Sequence, residues 1–452
     1  MHPRLAADLD GFAAILRAAA EAGRDAVAAM DGRAVAPVLS ESAADPGPVP
    51  VEGVGAVAAL ERFGREWEPG FAASAGPRFL GFVTGGATPA SVAGDWVTSV
   101  HDQNAASIAG SSAAALERVT VAWLADMLGL GGHTGAFVSG ATMSNFTGLA
   151  IGREWLGERA GFSVAQEGAG GLAVRVLSGT PHSSVFKALA MLGVGRGAVR
   201  VLPTAPGREA VDLAALEDAL REGPAIVVAN AGTVNTVDFD DLRAIAALRE
   251  RYPFWLHVDA AFGGFAALSP RHAHLVAGIE AADSVCVDLH KWLNVPYDSA
   301  VQFTRRRDLQ ARVFRNSAAY LTESGGGEPD FLHLTPENSR RLRALPAWFA
   351  LTAYGTQGHR EIVERDVDCA RALGARLEAD ARWRLLAPVR LNVVCFGPAD
   401  GRPLDPILRA LAPEAFLTPT VYEGVPALRA AFSNWRTTLA DVDRVYAALS
   451  AL

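Results

Sequence analysis

The sequence predicts an α/β fold built on a mostly parallel sheet that helices cover on both faces. From about Gly135 onward, short runs rich in β-branched residues alternate with helical stretches. Two of these stretches, 211–221 and 241–251, carry Leu, Ile and Ala at helical spacing, with Asp212 and Asp240 as expected N-caps. Strands that alternate with helices pair in parallel, and a parallel sheet is buried on both faces.

Seven runs are predicted as strands of this large unit. They are residues 135–138, 172–177, 199–202, 225–229, 254–258, 284–287 and 300–303. In such sheets, ligands bind at the carboxyl ends of the strands, so polar residues that directly follow a strand are candidate site residues.

The 452 residues exceed what one core usually supports, so two units and an arm are expected. Residues 1–80 are predicted as an N-terminal arm, with a helix over 5–30 and an extended, proline-rich connector over 34–55. Residues 81–345 are the large domain. Residues 346–452 are predicted as a smaller α+β domain that contains a long helix to about 379 and strands at 392–396 and 428–432.

The composition of the chain argues against several classes of function. No apolar run reaches the roughly 18 residues that a membrane span needs, and the net charge of −8 gives no electrostatic footprint for nucleic acid. Cys286, Cys369 and Cys395 are far apart, which predicts buried free thiols in a reducing compartment. The start of the chain lacks the pattern of a secretory signal. We expect a cytoplasmic protein with a small-molecule partner and no metal.

The strongest candidate residue is Lys291, which follows a predicted strand and stands beside His290 and Trp292. An amine in a dry pocket is expected to lose its proton readily and to condense with a carbonyl. Any single lysine is more often a surface residue, so a chemical role for Lys291 depends on the residues around it. Asp259 ends an apolar strand 32 residues earlier. A buried carboxylate needs a cationic partner, and the protonated pyridine nitrogen of pyridoxal 5'-phosphate (PLP) is one.

Three further segments follow predicted strands. His182 is placed where its imidazole could stack on a cofactor ring, although a histidine there, taken alone, is more often a helix-start residue with a satisfied side chain. Residues 137–145 run from a strand into a Gly/Ser/Thr-rich turn and a helix, an arrangement that holds phosphate. Thr233 could bond a phenolic oxygen of the ring, and Ala261 is small enough for a ring to lie against the backbone.

Asp259-Ala-Ala, His290-Lys291-Trp292 and Gly179-Thr-Pro-His182-Ser-Ser together resemble the group II PLP-dependent decarboxylases, the family of aromatic-L-amino-acid and glutamate decarboxylases. The resemblance implies the PLP-dependent transferase fold type I and a homodimer with its active site at the subunit interface. It further implies Lys291 as the Schiff-base lysine, Asp259 on the pyridine nitrogen and His182 on the ring. The other implied contacts are Ala141 and Thr142 at the phosphate, with His290 and Thr233 lining the site.

The resemblance also covers a loop in which Tyr320 occupies the place of the tyrosine that protonates the substrate carbon. Relatives with phenylalanine there tend toward aldehyde formation, so Tyr320 favours simple decarboxylation; it could instead be a surface residue. Two departures stand out. Asp288 replaces a common asparagine three positions before the lysine, and a carboxylate there would repel a phosphate. Gln103 and Asn104 are polar where aromatic decarboxylases are apolar, in a segment expected to reach the partner's site.

The resulting hypothesis is a PLP-dependent decarboxylase that converts a small L-amino acid, with an aromatic one favoured, to its amine and carbon dioxide. Two alternatives stay open at this point. One is another fold type I activity, such as a lyase, an aminotransferase or a decarboxylation-dependent oxidase. The other is a non-catalytic binding protein that has kept the fold.

Overall fold

A computed structural model describes residues 1–37, 48–107, 111–316 and 329–452. Its larger sheet contains β1 (Thr134–Val138), β2 (Val176–Ser178), β3 (Val199–Val201), β4 (Ala225–Asn230), β5 (Phe254–Asp259), β6 (Ser284–Asp288) and β7 (Ala300–Thr304). The strand order is β1-β7-β6-β5-β4-β2-β3. Only β7 is antiparallel to its neighbours in this sheet, so the mostly parallel α/β fold is confirmed.

A smaller antiparallel sheet is formed near the end of the chain. It contains β8 (Trp383–Leu385), β9 (Val393–Pro398), β10 (Thr418–Tyr422) and β11 (Val425–Ala431) in the order β10-β11-β9-β8. Its apolar residues form a second core with residues of the last helices, and Leu80 belongs to the same core. The domain boundaries inferred from the sequence remain a prediction.

Fifteen α-helices accompany these sheets in the described residues. They are α1 (Pro3–Asp10), α2 (Phe12–Ala29), α3 (Ala56–Glu66), α4 (Pro89–His101), α5 (Ala113–Met127), α6 (Ala141–Ala160), α7 (Val164–Glu167), α8 (Ser183–Met191), α9 (Leu213–Leu220), α10 (Leu242–Ala247), α11 (Leu289–Trp292), α12 (Arg307–Phe314), α13 (Ala344–Glu378), α14 (Leu404–Leu411) and α15 (Leu439–Ser450). None of the helices described is both long and apolar enough to cross a membrane.

Several local predictions need correction. The N-terminal helix is divided at Gly11 into α1 and α2, and the long helix α13 is interrupted at Gly355, where φ is 58°. Asp212 caps α9 as predicted. The cap of α10 is Asp241, whereas Asp240 is buried and accepts the amide hydrogens of Val211 and Asn230.

The strands β4 and β5 explain where a site can form. Every residue of both strands is buried, and the two pair in parallel along their whole length. A polar side chain at the carboxyl end of such a strand lies just beyond the apolar core but is still buried inside the protein. Asn230 and Asp259 end these strands opposite each other, and Asp288 ends the neighbouring β6.

Candidate active site

A cavity of about 260 Å³ lies at this carboxyl edge of the large sheet. Six of the residues predicted from the sequence line it: Ala141, His182, Thr233, Asp259, Ala261 and Lys291. Thr142 lines a neighbouring pocket together with His182. Residues separated by up to 150 positions therefore meet because the strands that carry them end side by side.

Lys291 lies in the short helix α11, directly after β6. Its Nζ is 3.0 Å from Asp288 Oδ2 and 5.6 Å from the centre of the Phe262 ring. Burial lowers the pKa of Lys291, but the carboxylates of Asp288 and Asp259 outweigh burial and raise it above its ordinary value. The pKa of the Lys291 amine is therefore shifted in the direction opposite to the expected one, because two carboxylates stabilise the ammonium form.

Asp259 is 7% exposed at the end of β5. Its Oδ2 accepts a hydrogen bond from Asn145 Nδ2 at 2.9 Å, and its Oδ1 accepts the amide hydrogen of Ala261 at 3.2 Å. No Lys, Arg or His of the described chain lies within ion-pair distance of it. A buried carboxylate that has hydrogen-bond donors but no protein cation within ion-pair distance is suited to pair with a positively charged ligand atom in the cavity.

Asn145 connects Asp259 to a buried histidine, a connection that sequence reasoning missed. The amide Nδ2 also donates to Ser184 Oγ at 2.9 Å, while Asn145 Oδ1 lies 2.8 Å from His257 Nε2. Because an amide oxygen only accepts, His257 carries its proton on Nε2. Burial lowers the pKa of His257 to about 4, so its ring is neutral near pH 7. The orientation of Asn145 is thereby set, and its two N–H groups face Asp259 and Ser184.

His182 is both the N-cap of α8 and a wall of the cavity. Its Nδ1 accepts the amide hydrogen of Ser184 at 3.2 Å and lies 2.8 Å from Ser184 Oγ. The neutral ring therefore carries its proton on Nε2. Burial lowers the pKa of His182, which keeps the ring neutral near pH 7.

Thr233 reaches the cavity, but its hydroxyl is already engaged. Its Oγ1 donates to Glu209 Oε2 at 2.5 Å and accepts the amide hydrogen of Asp238 at 2.9 Å. A bond from this hydroxyl to a phenolic oxygen would require the hydroxyl to leave Glu209.

Arg429 is the second residue that sequence reasoning missed. It lies in β11, lines the cavity and is only 5% exposed. Its Nε has no hydrogen-bond partner in the described chain, and burial lowers its pKa to about 10. The signal was present in the sequence, because Arg429 is a charge inside the apolar run Leu428–Phe432.

Asp288 lies between the lysine and the start of α6. Its Oδ1 accepts the amide hydrogen of Ala141 at 2.9 Å, and its Oδ2 is 3.4 Å from His290 Nε2 in addition to its contact with Lys291. The ring of His290 stacks near Tyr297 with centroids 4.2 Å apart. Tyr320 lies outside the described residues, so its predicted role stays a prediction.

The donor set fits PLP. A primary amine, a buried carboxylate with no cation of the described chain within ion-pair distance and a neutral imidazole surround one cavity, and α6 begins at its edge. Gly140 lies just before α6, and a Cβ at this position would be in van der Waals contact with His290 Cε1 at 3.5 Å. In the described residues, no cluster of three His, Cys, Asp or Glu could hold a metal ion.

Comparison with known proteins agrees with this chemistry. Residues 60–398 match the pyridoxal-dependent decarboxylase conserved domain. The chain is 32% identical over 331 residues to the aromatic-L-amino-acid decarboxylase of Bacillus atrophaeus, covering 71% of this chain and 67% of the relative. It is 34% identical to the bovine (Bos taurus) enzyme of the same name, over 49% of this chain and only 47% of that protein.

The crystal structure of Oryza sativa TDC with PLP and tryptamine has the same fold. The TM-score is 0.90 at 22% identity, covering 98% of this chain and 97% of the plant chain. Fold and site thus define a PLP-dependent enzyme of fold type I. The chain belongs to the pyridoxal-dependent decarboxylase family, which confirms the predicted cofactor and the class of PLP-dependent amino-acid decarboxylases.

Proposed function

We propose that the chain removes the α-carboxylate of a small aromatic L-amino acid and releases the amine and carbon dioxide, with PLP held on Lys291. The observation that carries the proposal is the pair formed by Lys291 and Asp259 at one cavity. PLP, when bound, takes up the electron pair that the departing carbon dioxide leaves behind. Asp259 would hold the ring nitrogen protonated, which makes that uptake favourable.

The other cofactor contacts are proposed on the same basis. His182 would lie on one face of the ring, with the small Ala261 on the opposite face. The start of α6 at Ala141 and Thr142 would hold the phosphate, which would share the Ala141 amide hydrogen with Asp288 or displace the carboxylate from it. Thr233 and His290 would line the remaining edge.

The hydrogen bonds around Asp259 define what the chain itself contributes. Donation from Asn145 and from the Ala261 amide satisfies both oxygens of the buried carboxylate and fixes its orientation. These donors are held before any ligand arrives, so no reorganisation is needed during the reaction.

The proton that replaces carbon dioxide has two candidate donors, Tyr320 and His182. Because burial lowers the pKa of His182, the ring is neutral near pH 7 and a weak acid. We therefore favour Tyr320 as the donor to the substrate carbon, with His182 as a packing residue.

The cavity lining supports an aromatic substrate. Phe82, Val83 and Phe262 supply apolar surface, and among the described residues that line the cavity Arg429 is the only cation apart from Lys291. We propose that Arg429 orients the substrate carboxylate. The names of the bacterial and bovine relatives support the same substrate class. Gln103 and Asn104 remain the polar departure from this substrate class; Gln103 accepts a hydrogen bond from the Ser111 hydroxyl, and Asn104 accepts the amide hydrogen of Arg340.

We further propose a homodimer in which residues 1–80 cover the partner. The N-terminal helices expose large apolar side chains, among them Leu5, Leu9, Phe12 and Leu16. A cytoplasmic location is proposed from the three cysteines, which are buried and free of disulfides as predicted.

A screen of amino acids with separate assays for carbon dioxide, amine, aldehyde and peroxide tests the proposal. Equal amounts of amine and carbon dioxide from an aromatic L-amino acid are expected, with none from the Lys291→Ala variant. Aldehyde with peroxide and no amine would indicate a decarboxylation-dependent oxidase. No turnover, together with no uptake of PLP, would favour a binding protein.

A further inference from the structure

We propose that Asp288 is an anion built into the phosphate position of the cofactor site, so that this chain discriminates against the phosphate of its own cofactor. The inference rests on the proposed placement of PLP at Lys291. It concerns the carboxylate that contacts both the Ala141 amide and the Lys291 amine.

The first argument is the hydrogen bond at the start of α6. A phosphate binds a helix start through amide hydrogens that have no partner within the helix. Here the amide hydrogen of Ala141, the first residue of α6, is already donated to Asp288 Oδ1 at 2.9 Å. A phosphate at this position must therefore share or displace the carboxylate.

The second argument is charge. Asp288 is only 2% exposed, so water and salt screen it weakly. Its neighbour His290 does not cancel the charge, because burial lowers the pKa of His290 and keeps it neutral near pH 7. Within the part of the chain that the structure describes, the ammonium of Lys291, at 3.0 Å, is the only cation in an ion pair with Asp288, and the cofactor aldehyde competes for the same nitrogen.

Two buried anions in contact repel each other strongly. An asparagine would keep an oxygen for the Ala141 amide and would remove the negative charge. The carboxylate therefore weakens binding of the phosphorylated cofactor. The fraction of the enzyme that carries PLP then depends on the concentration of free PLP.

The test uses two ligands that lack the aldehyde, so that bond formation at Lys291 does not contribute. Pyridoxine 5'-phosphate and pyridoxine differ only in the phosphate. Their dissociation constants are measured by calorimetry on the full-length chain freed of cofactor. For Asp288→Asn, we expect the preference for the phosphorylated ligand to rise by about tenfold or more, because a like charge has been removed. Pyridoxine affinity should change by less than about threefold, since that ligand carries no phosphate charge.

Asp298→Asn is the matched control. It removes one negative charge seven residues from Lys291, but Asp298 is 44% exposed and its Oδ1 binds Arg343 Nε at 2.9 Å. We expect the preference for the phosphorylated ligand to be unchanged. Asp288→Ser provides a second neutral side chain and should also raise the preference for the phosphorylated ligand. It tests the inference even where Asp288→Asn folds poorly.

An unchanged preference in both Asp288 variants would overturn the inference while leaving PLP on Lys291 intact. If PLP instead reacts with a different lysine, the proposed function fails and this inference fails with it. The two failures are distinguished by peptide mapping of the trapped cofactor in the parent chain.

Discussion

Asn145 Nδ2 donates to Asp259 Oδ2 at 2.9 Å, and both side chains are buried. The orientation of this amide is imposed from its other end by the N–H of His257. A neutral histidine therefore positions the hydrogen-bond donor that holds the key carboxylate in place.

The exchange Asn145→Asp tests this relationship with an almost unchanged shape. Two carboxylates about 3 Å apart cannot both ionise, so Asp259 would share a proton and lose its effect on the ring nitrogen. We expect kcat to fall about a hundredfold while PLP remains bound. Asn235→Asp, a partly exposed exchange of the same kind, should leave kcat within about twofold. Parent-like kcat in Asn145→Asp would contradict the assigned role.

The pKa of His257 predicts a pH dependence of stability. Its pKa falls from 6.5 to about 4 on folding. Between these two pH values, the unfolded chain binds a proton at His257 and the folded chain does not. The contribution of a neutral His257 is fully present above pH 6.5 and is lost as the pH falls toward 4. The loss amounts to about 3 kcal/mol. The variant His257→Gln retains a hydrogen-bond donor for Asn145. Its free energy of unfolding, measured with urea, should decline less toward acid pH than that of the parent chain, by about this amount. An identical decline in both chains would refute the prediction.

Arg429→Met tests the orienting role of the arginine. Because methionine keeps apolar bulk and removes the charge, KM for the amino acid should rise about tenfold or more. Inhibition by the product amine, which has no carboxylate, should change little and serves as the internal control. Equal weakening of both ligands would show that Arg429 only supports the cavity wall.

Tyr320→Phe tests the proton donor. Without the phenol, the substrate carbon is protonated slowly, so we expect amine formation to fall at least about tenfold and aldehyde to appear. Tyr446→Phe, an exchange on the surface helix α15, should change neither product. Amine as the sole product at an unchanged rate would exclude Tyr320 as the donor.

The sequence predicted the large sheet well because its strands are short apolar runs bounded by turns, as in β4 and β5. It also predicted six residues of one cavity, because each follows a strand and the strands are parallel. The contributions of Asn145 and Arg429 could not be predicted in this way. Asn145 acts through contacts with residues that are 39 to 114 positions distant, and Arg429 comes from a different sheet. The direction of the Lys291 pKa shift depended on the Asp288 contact, which spacing alone does not show.

The most direct test of the account is the chemical location of the cofactor. The PLP-loaded chain is reduced with borohydride, digested and mapped by mass spectrometry, alongside Asp259→Asn as a variant that keeps the lysine. We predict the label on Lys291 in both chains, with decarboxylation lost in the variant alone. A label on another lysine, or none in the parent chain, would contradict the account.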